Sequence, residues 1–63
     1  MSETWLDRLF AEKDELQARL LKLEDFLSTE PDIGADQLAL LKIQASCMRA
    51  YRDVLTQRIV LLR

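Results

Sequence analysis

The sequence predicts an all-α protein, an antiparallel two-helix hairpin that assembles into a homo-oligomeric helical bundle. Two observations predict the hairpin and a third predicts the assembly. The 63 residues include one glycine and one proline, and both lie near the middle of the chain. On either side of them, apolar residues recur at alternating intervals of three and four, the spacing of helices packed side by side. A chain this short, read as one domain over residues 1–63, hides only about 60% of its unfolded surface, so partner subunits are expected.

The first predicted helix spans about residues 3–28. Thr4 can cap its start, and Glu15 precedes Arg19 by four residues, an order that stabilises a helix by roughly 0.3 kcal/mol. One face of this helix carries a seam of leucines that is interrupted once by a lysine. The seam positions are Leu6, Leu9, Lys13, Leu16, Leu20, Leu23 and Leu27.

A linker over about residues 29–34 separates this helix from a second one over about residues 35–62. Pro31 disfavours helical geometry at the residue before it, and Gly34 is the expected N-cap of the second helix. A break of this length lets the helices fold back antiparallel, which pairs Leu6 with Ile59 and places Lys13 and Arg52 in one layer. The second seam contains Leu38, Leu41, Ala45, Met48, Arg52, Leu55, Ile59 and Leu62.

Apolar residues outside the two seams exceed what a hairpin can cover. They are Trp5, Phe10, Leu21 and Phe26 on the first helix and Leu40, Ile43, Cys47, Tyr51, Val54 and Leu61 on the second. Exposed apolar patches of several hundred Å² mark interfaces, so we expect an obligate homo-oligomer. A dimer that forms a four-helix bundle is the simplest closed assembly, and higher closed symmetry is compatible with the width of the apolar surface.

Composition excludes several classes of function. The chain has no histidine and one cysteine, so it lacks the residues of catalytic triads and of metal clusters, and we expect neither an enzyme nor a cofactor. A net charge of −2 disfavours binding to duplex nucleic acid. No apolar run approaches the roughly 18 residues of a membrane span, and a cytoplasmic location without membrane contact is the simplest interpretation.

Five polar side chains are candidates for ligand contact, and each has a purely structural alternative. Lys13 and Arg52 share a seam layer, which indicates an anion site unless their heads reach water or pair with neighbouring carboxylates. Ser28 and Thr29 either cap the turn or hold a ligand between subunits. Lys22 lies outside the seam, where it either contacts phosphate or is simply solvated.

Trp5 is the aromatic candidate. Its ring offers a flat face on which a nucleic-acid base can stack, an interaction worth roughly 1–3 kcal/mol per base. The structural alternative is that Trp5 anchors a subunit interface, where aromatic residues are enriched.

Two blocks of the sequence resemble a family of very small phage proteins. The first block covers residues 18–29, and the second covers residues 40–44, 48–51 and 54–59, so the resemblance extends over about residues 16–59. The family includes the anti-CBASS cyclic-nucleotide sponges. These proteins sequester the second messengers of a bacterial immune system and so prevent activation of its cell-killing effectors.

The resemblance implies a homo-hexamer of helical hairpins that holds cyclic dinucleotides in pockets between subunits, in the cytoplasm of the infected bacterial cell. It implies that Trp5, where family members usually have tyrosine, stacks on the bases and that Lys22 contacts phosphate. Ser28 and Thr29 are the corresponding hydroxyl partners. Arg58 is implied for a separate cyclic trinucleotide pocket.

An alternative function is that of a protein-interaction module. In this interpretation the helical hairpin is an inhibitor or adaptor that docks on a host or phage protein through its apolar face. The same surplus of apolar residues favours both functions, and binding of cyclic nucleotides distinguishes them.

Overall fold

The computed structural model describes residues 4–62, which form two helices packed against each other. Helix α1 spans Trp5–Ser28 and helix α2 spans Ala35–Leu62. The predicted all-helical hairpin is therefore confirmed, whereas residue 3, the expected start of the first helix, lies outside the described residues. In the part of the chain that is described, no helix is long and apolar enough to cross a membrane.

Helix α1 begins at a reciprocal cap. The Asp7 N–H donates to Thr4 Oγ1 at 3.1 Å, and the Thr4 N–H donates to Asp7 Oδ2 at 3.3 Å. These two bonds satisfy backbone donors that the first turn of a helix leaves without partners, and the carboxylate suits the positive end of the helix dipole.

The turn between the helices depends on two residues with positive φ. Glu30, directly after the Thr29 cap of α1, has φ +52°, and Gly34 has φ +92°. The Gly34 carbonyl accepts from the Leu38 N–H at 3.0 Å, so Gly34 is the N-cap of α2, as predicted. Glycine adopts this conformation without the steric penalty that a Cβ atom imposes.

The two predicted seams face each other and form the core. Leu20 and Leu55 have no exposed surface, and Leu9, Ala45 and Ile59 are nearly as buried. The remaining seam residues are half-buried, except Leu62, which is exposed. The most buried group joins Leu9, Leu55 and Ile59, with Leu6, Phe10 and Leu16 packed around it.

Two details of the seams were predicted wrongly. Leu62 is exposed, because the pairing of Leu6 with Ile59 places it opposite a position that precedes the start of α1. Phe10 was expected outside the core but is half-buried, because its ring packs against the Leu9–Leu55–Ile59 cluster from the flank.

Polar contacts along the edges of the core fix the register of the two helices. Arg49 pairs with Glu24 at 2.9 Å, and the Arg52 guanidinium donates to Gln17 Oε1 at 3.2 Å. On the outer surface of α1, the predicted pair of Glu15 and Arg19 is present at 2.8 Å.

Candidate functional site

The end of the hairpin where α1 begins and α2 ends, here called the open end, carries the most exposed aromatic ring of the described chain. The Trp5 side chain is 66% exposed. The Arg58 guanidinium carbon lies 5.7 Å from the centre of the indole ring, within the range of a cation–π interaction. One planar aromatic surface and one cation are therefore held together by residues far apart in sequence.

Two open concavities flank this pair. The first has a volume of about 160 Å³ and is lined by Trp5, Arg8, Leu9, Glu12 and Arg58. The second, of about 230 Å³, is lined by Trp5, Arg58 and the last two leucines of α2. Sites for small molecules typically measure roughly 300–1,000 Å³, so each concavity of one chain is smaller than a nucleotide site.

Charges of both signs surround the Trp5 ring. Arg8 and Arg58 are cationic, and Glu12 accepts a hydrogen bond from the Tyr51 hydroxyl across the two helices. That hydrogen bond to Glu12 raises the pKa of Tyr51, and desolvation and the negative charge of Glu12 add to the effect, while Arg58 opposes it. The first concavity is thus lined by two guanidinium groups and one carboxylate, and the Tyr51 phenol donates a hydrogen bond to that carboxylate.

Arg8 and Glu12 were not predicted as lining residues. Their positions follow Trp5 by three and seven residues, which places all three side chains on one face of α1. That spacing was a usable signal, since any pocket beside Trp5 on this helix must include side chains from the next two turns.

The other predicted ligand residues of α1 lie towards the opposite end of the hairpin. Lys22 is exposed and lies about 26 Å along the helix from Trp5, at 1.5 Å per residue. The Ser28 hydroxyl donates to the Asp25 carbonyl and the Thr29 hydroxyl to the Phe26 carbonyl, each at 2.6 Å. Both hydroxyls therefore make local hydrogen bonds at the C-terminal end of α1, and their oxygens keep acceptor capacity.

Lys13 and Arg52 occupy the middle of the hairpin. Arg52 donates to Gln17 and, at 3.3 Å, to the carboxylate of Asp53, so its guanidinium already faces two oxygen acceptors. Lys13 is half-buried in the seam of α1. Pairing with Asp53 was the structural alternative for Arg52, and that contact is present.

One hairpin therefore brings Trp5 and Arg58 into contact, although the resemblance implied a separate pocket for Arg58. Lys22, Ser28 and Thr29 form a separate group towards the turn, and residues at both ends cannot contact one small ligand within one chain. A pocket that uses both groups requires a second chain whose turn end lies beside the open end of the first. Within residues 4–62 no cluster of potential metal-ligating side chains occurs.

Comparison with known proteins yields one match. The family model described as Sequestin matches residues 3–61, which is nearly the whole chain. Neither a curated protein nor a solved structure matches the chain significantly.

Proposed function

The chain belongs to the Sequestin family, and from this membership we propose that it binds and sequesters cyclic oligonucleotide second messengers in pockets between subunits. In this proposal the protein is a phage anti-defence factor that acts in the cytoplasm of the infected bacterium and blocks CBASS-type immunity. The family name is consistent with sequestration, and the sequence resemblance to the anti-CBASS sponges supplies the ligand class.

The geometry of the open end is the observation that carries the proposal. A ligand with purine rings and phosphates needs a flat aromatic face and nearby cations, and Trp5 with Arg58 and Arg8 offers both. An exposed tryptophan loses a large apolar area when a base stacks on it, which favours binding. The remaining phosphate contacts are assigned to Lys22 of a neighbouring copy.

Sequestration acts by mass action and requires no chemical step. A bound messenger cannot activate its effector, so protection depends on the affinity of the site and on the number of copies. We propose that the ligand leaves the protein unchanged. This distinguishes the proposal from an enzymatic function, in which the messenger would be cleaved.

Titration calorimetry with a panel of cyclic di- and trinucleotides tests the proposal, with the solution mass determined on the same sample. Trp5 is the single tryptophan, so its fluorescence reports stacking directly. We expect saturable binding, a change in fluorescence and recovery of intact ligand. A folded protein that gives no heat with any member of the panel would contradict the proposal.

Mixing two variants tests whether the pocket lies between chains. Trp5→Ala and Lys22→Ala are each expected to lose binding, and Lys42→Ala, an exposed lysine of α2, is the matched control that retains it. In randomly mixed oligomers of the two variants, about one quarter of the two-chain pockets regain both residues, and binding returns in that proportion. No recovery on mixing would contradict a shared pocket.

The protein-interaction module is the second candidate function. The observation that favours it is the exposed apolar surface of α2, where Leu40, Ile43 and Val54 are each more than half exposed. A stable complex with a host or phage protein that persists without small nucleotides would support this candidate.

A further inference from the structure

The first concavity of the open end combines an aromatic ring with charged groups of both signs. Trp5 provides the ring, Glu12 provides a carboxylate, and Arg8 and Arg58 provide guanidinium groups. A carboxylate repels the phosphates of a nucleotide, so Glu12 does not serve to bind them. An ionised carboxylate only accepts hydrogen bonds, and it therefore suits a part of the ligand that donates them.

Nucleobases differ in the donors that they offer to such a carboxylate. Guanine carries two adjacent donors, N1–H and the 2-amino group, and two acceptors, O6 and N7, on its neighbouring edge. Adenine reverses this pattern, because its N1 is an acceptor and its 6-amino group is a donor. A carboxylate accepts from both guanine donors at once, whereas it repels the lone pair on N1 of adenine.

Arg58 complements the acceptor edge of guanine. Its guanidinium carbon lies 5.7 Å from the centre of the Trp5 ring. A cation–π contact uses the flat face of the guanidinium, and the N–H groups at its edge keep their capacity to donate. Donation from arginine to O6 and N7 of guanine is the commonest specific contact between a side chain and a base.

Tyr51 holds the Glu12 carboxylate in place. The hydroxyl of Tyr51, on α2, donates to Oε1 of Glu12, on α1. A carboxylate has about four lone-pair sites, so this bond leaves acceptor capacity for the two donors of one base. A side chain that is already held by the second helix loses less conformational entropy when the ligand binds.

From this arrangement we propose that the open end selects guanine over adenine, with Glu12 as the specificity-determining residue and Tyr51 as its positioning residue. The inference rests on the proposed function and adds to it the identity of the base. Glu12 accepts from N1–H and the 2-amino group, Arg58 donates to O6 or N7, and Trp5 stacks on the ring. Adenine in the same place leaves the carboxylate without a donor and sets an amino group against a cation, which opposes binding.

The first test compares the affinities of the protein for cyclic di-GMP and cyclic di-AMP by titration calorimetry. We expect native protein to bind cyclic di-GMP at least about tenfold more tightly. Glu12→Gln replaces one acceptor oxygen with a donor at nearly constant shape and should abolish most of this preference. Glu15→Gln makes the same change at an exposed position of α1 outside the concavity, and it is the matched control that should keep the native ratio.

The ratio of the two affinities separates this inference from the proposed function. Equal affinities in native protein, or an unchanged ratio in Glu12→Gln, would overturn guanine selection and leave sequestration of cyclic nucleotides standing. Failure to bind either ligand would overturn the inference as well, and the proposed function falls with it only if the whole panel of cyclic nucleotides gives no binding.

Cyclic di-IMP tests the contact from the side of the ligand, without any change to the protein. Its hypoxanthine bases keep N1–H, O6 and N7 but lack the 2-amino group of guanine. We expect its affinity to lie between those of cyclic di-GMP and cyclic di-AMP. Equal affinities for cyclic di-IMP and cyclic di-GMP would refute the contact with two donors.

Tyr51→Phe tests the positioning role, because it removes the hydroxyl and keeps the ring. We expect the affinity for cyclic di-GMP to fall several-fold while the affinity for cyclic di-AMP stays the same. A purely structural role of Tyr51 would instead weaken both ligands equally, and that result would overturn its assignment as a positioning residue.

Discussion

The inner and outer faces of α2 carry apolar residues at the same spacing but have different surroundings. On the inner face, Leu55 has no exposed surface, while its neighbour Val54 on the outer face is 54% exposed. The difference comes from α1, which has one apolar seam and therefore covers one face of α2. The spacing of apolar residues thus identifies two apolar faces on α2. Which of them is buried depends on where α1 packs, and α1 packs on the inner face.

The largest expected effect comes from opening a cavity in the inner face. Leu55→Ala should lower the free energy of unfolding by about 2–5 kcal/mol, because the lost methyl groups leave a void between the helices. Urea denaturation followed by circular dichroism measures this loss. Leu21→Ala removes the same atoms from an exposed position of α1 and is expected to cost less than about 1 kcal/mol. Equal losses for the two variants would show that Leu55 is not packed between the helices.

A smaller effect is expected at the turn, which determines the face that α2 presents to α1. Gly34 has φ +92°, and a Cβ atom there would meet no other atom within 4 Å. Gly34→Ala should therefore destabilise the hairpin by backbone strain alone, by about 1–2 kcal/mol. Thermal unfolding measures the change.

The control for this prediction replaces Gly34 with D-alanine in a chemically synthesised chain. The D-residue adds the same methyl group but is comfortable at positive φ, so the melting temperature should not fall. A similar loss with both alanines would assign the effect to crowding of the side chain and contradict the strain argument.

A still smaller effect is expected at the edge of the inner face. Arg49 and Glu24 pair between the helices at 2.9 Å, and both side chains are about 40% exposed. Solvent screens such pairs, so a double-mutant cycle with Arg49→Ala and Glu24→Ala should give a coupling energy of about 0.2–1 kcal/mol. Added salt should reduce it further. The solvent-facing pair of Glu15 and Arg19 serves for comparison, and a cycle there should give no more coupling than the pair between the helices.

The fold was largely predictable from the sequence, because it depends on local patterns. Leucines at heptad spacing specify the inner faces, and Pro31 with Gly34 specifies the turn. The left-handed conformation of Glu30 was not predictable, since glutamate has no preference for it. The exposure of Leu62 also depends on tertiary structure, because it follows from where α1 begins.

The candidate site was predictable in part. The predicted pairing of Leu6 with Ile59 places the preceding residues, Trp5 and Arg58, side by side, so their contact could have been deduced from the register alone. The distance between Trp5 and Lys22 also follows from the sequence, because both lie on the predicted first helix, where 1.5 Å per residue gives about 26 Å.

The smallest effect concerns the hydrogen bond between Tyr51 and Glu12, which joins the two helices. Because this bond, with desolvation and the nearby carboxylate, raises the pKa of Tyr51 above its ordinary value of 10.0, Glu12→Gln should lower that pKa towards the ordinary value. Tyr51 is the single tyrosine, so ultraviolet absorbance during an alkaline titration reports it without overlap. Asp14→Asn removes an exposed carboxylate elsewhere on α1 and should leave the titration unchanged.

The raised pKa also gives the sign of a dependence of stability on pH. The folded state holds the phenol proton more tightly than the unfolded state, so the contribution of this bond is fully present below about pH 10 and is lost as the pH rises through the folded pKa. Native protein should therefore lose more stability above pH 10 than the Glu12→Gln variant does. If both lost the same amount, the hydrogen bond would not link the two helices in solution, and α2 would be held to α1 at this level by the inner face alone.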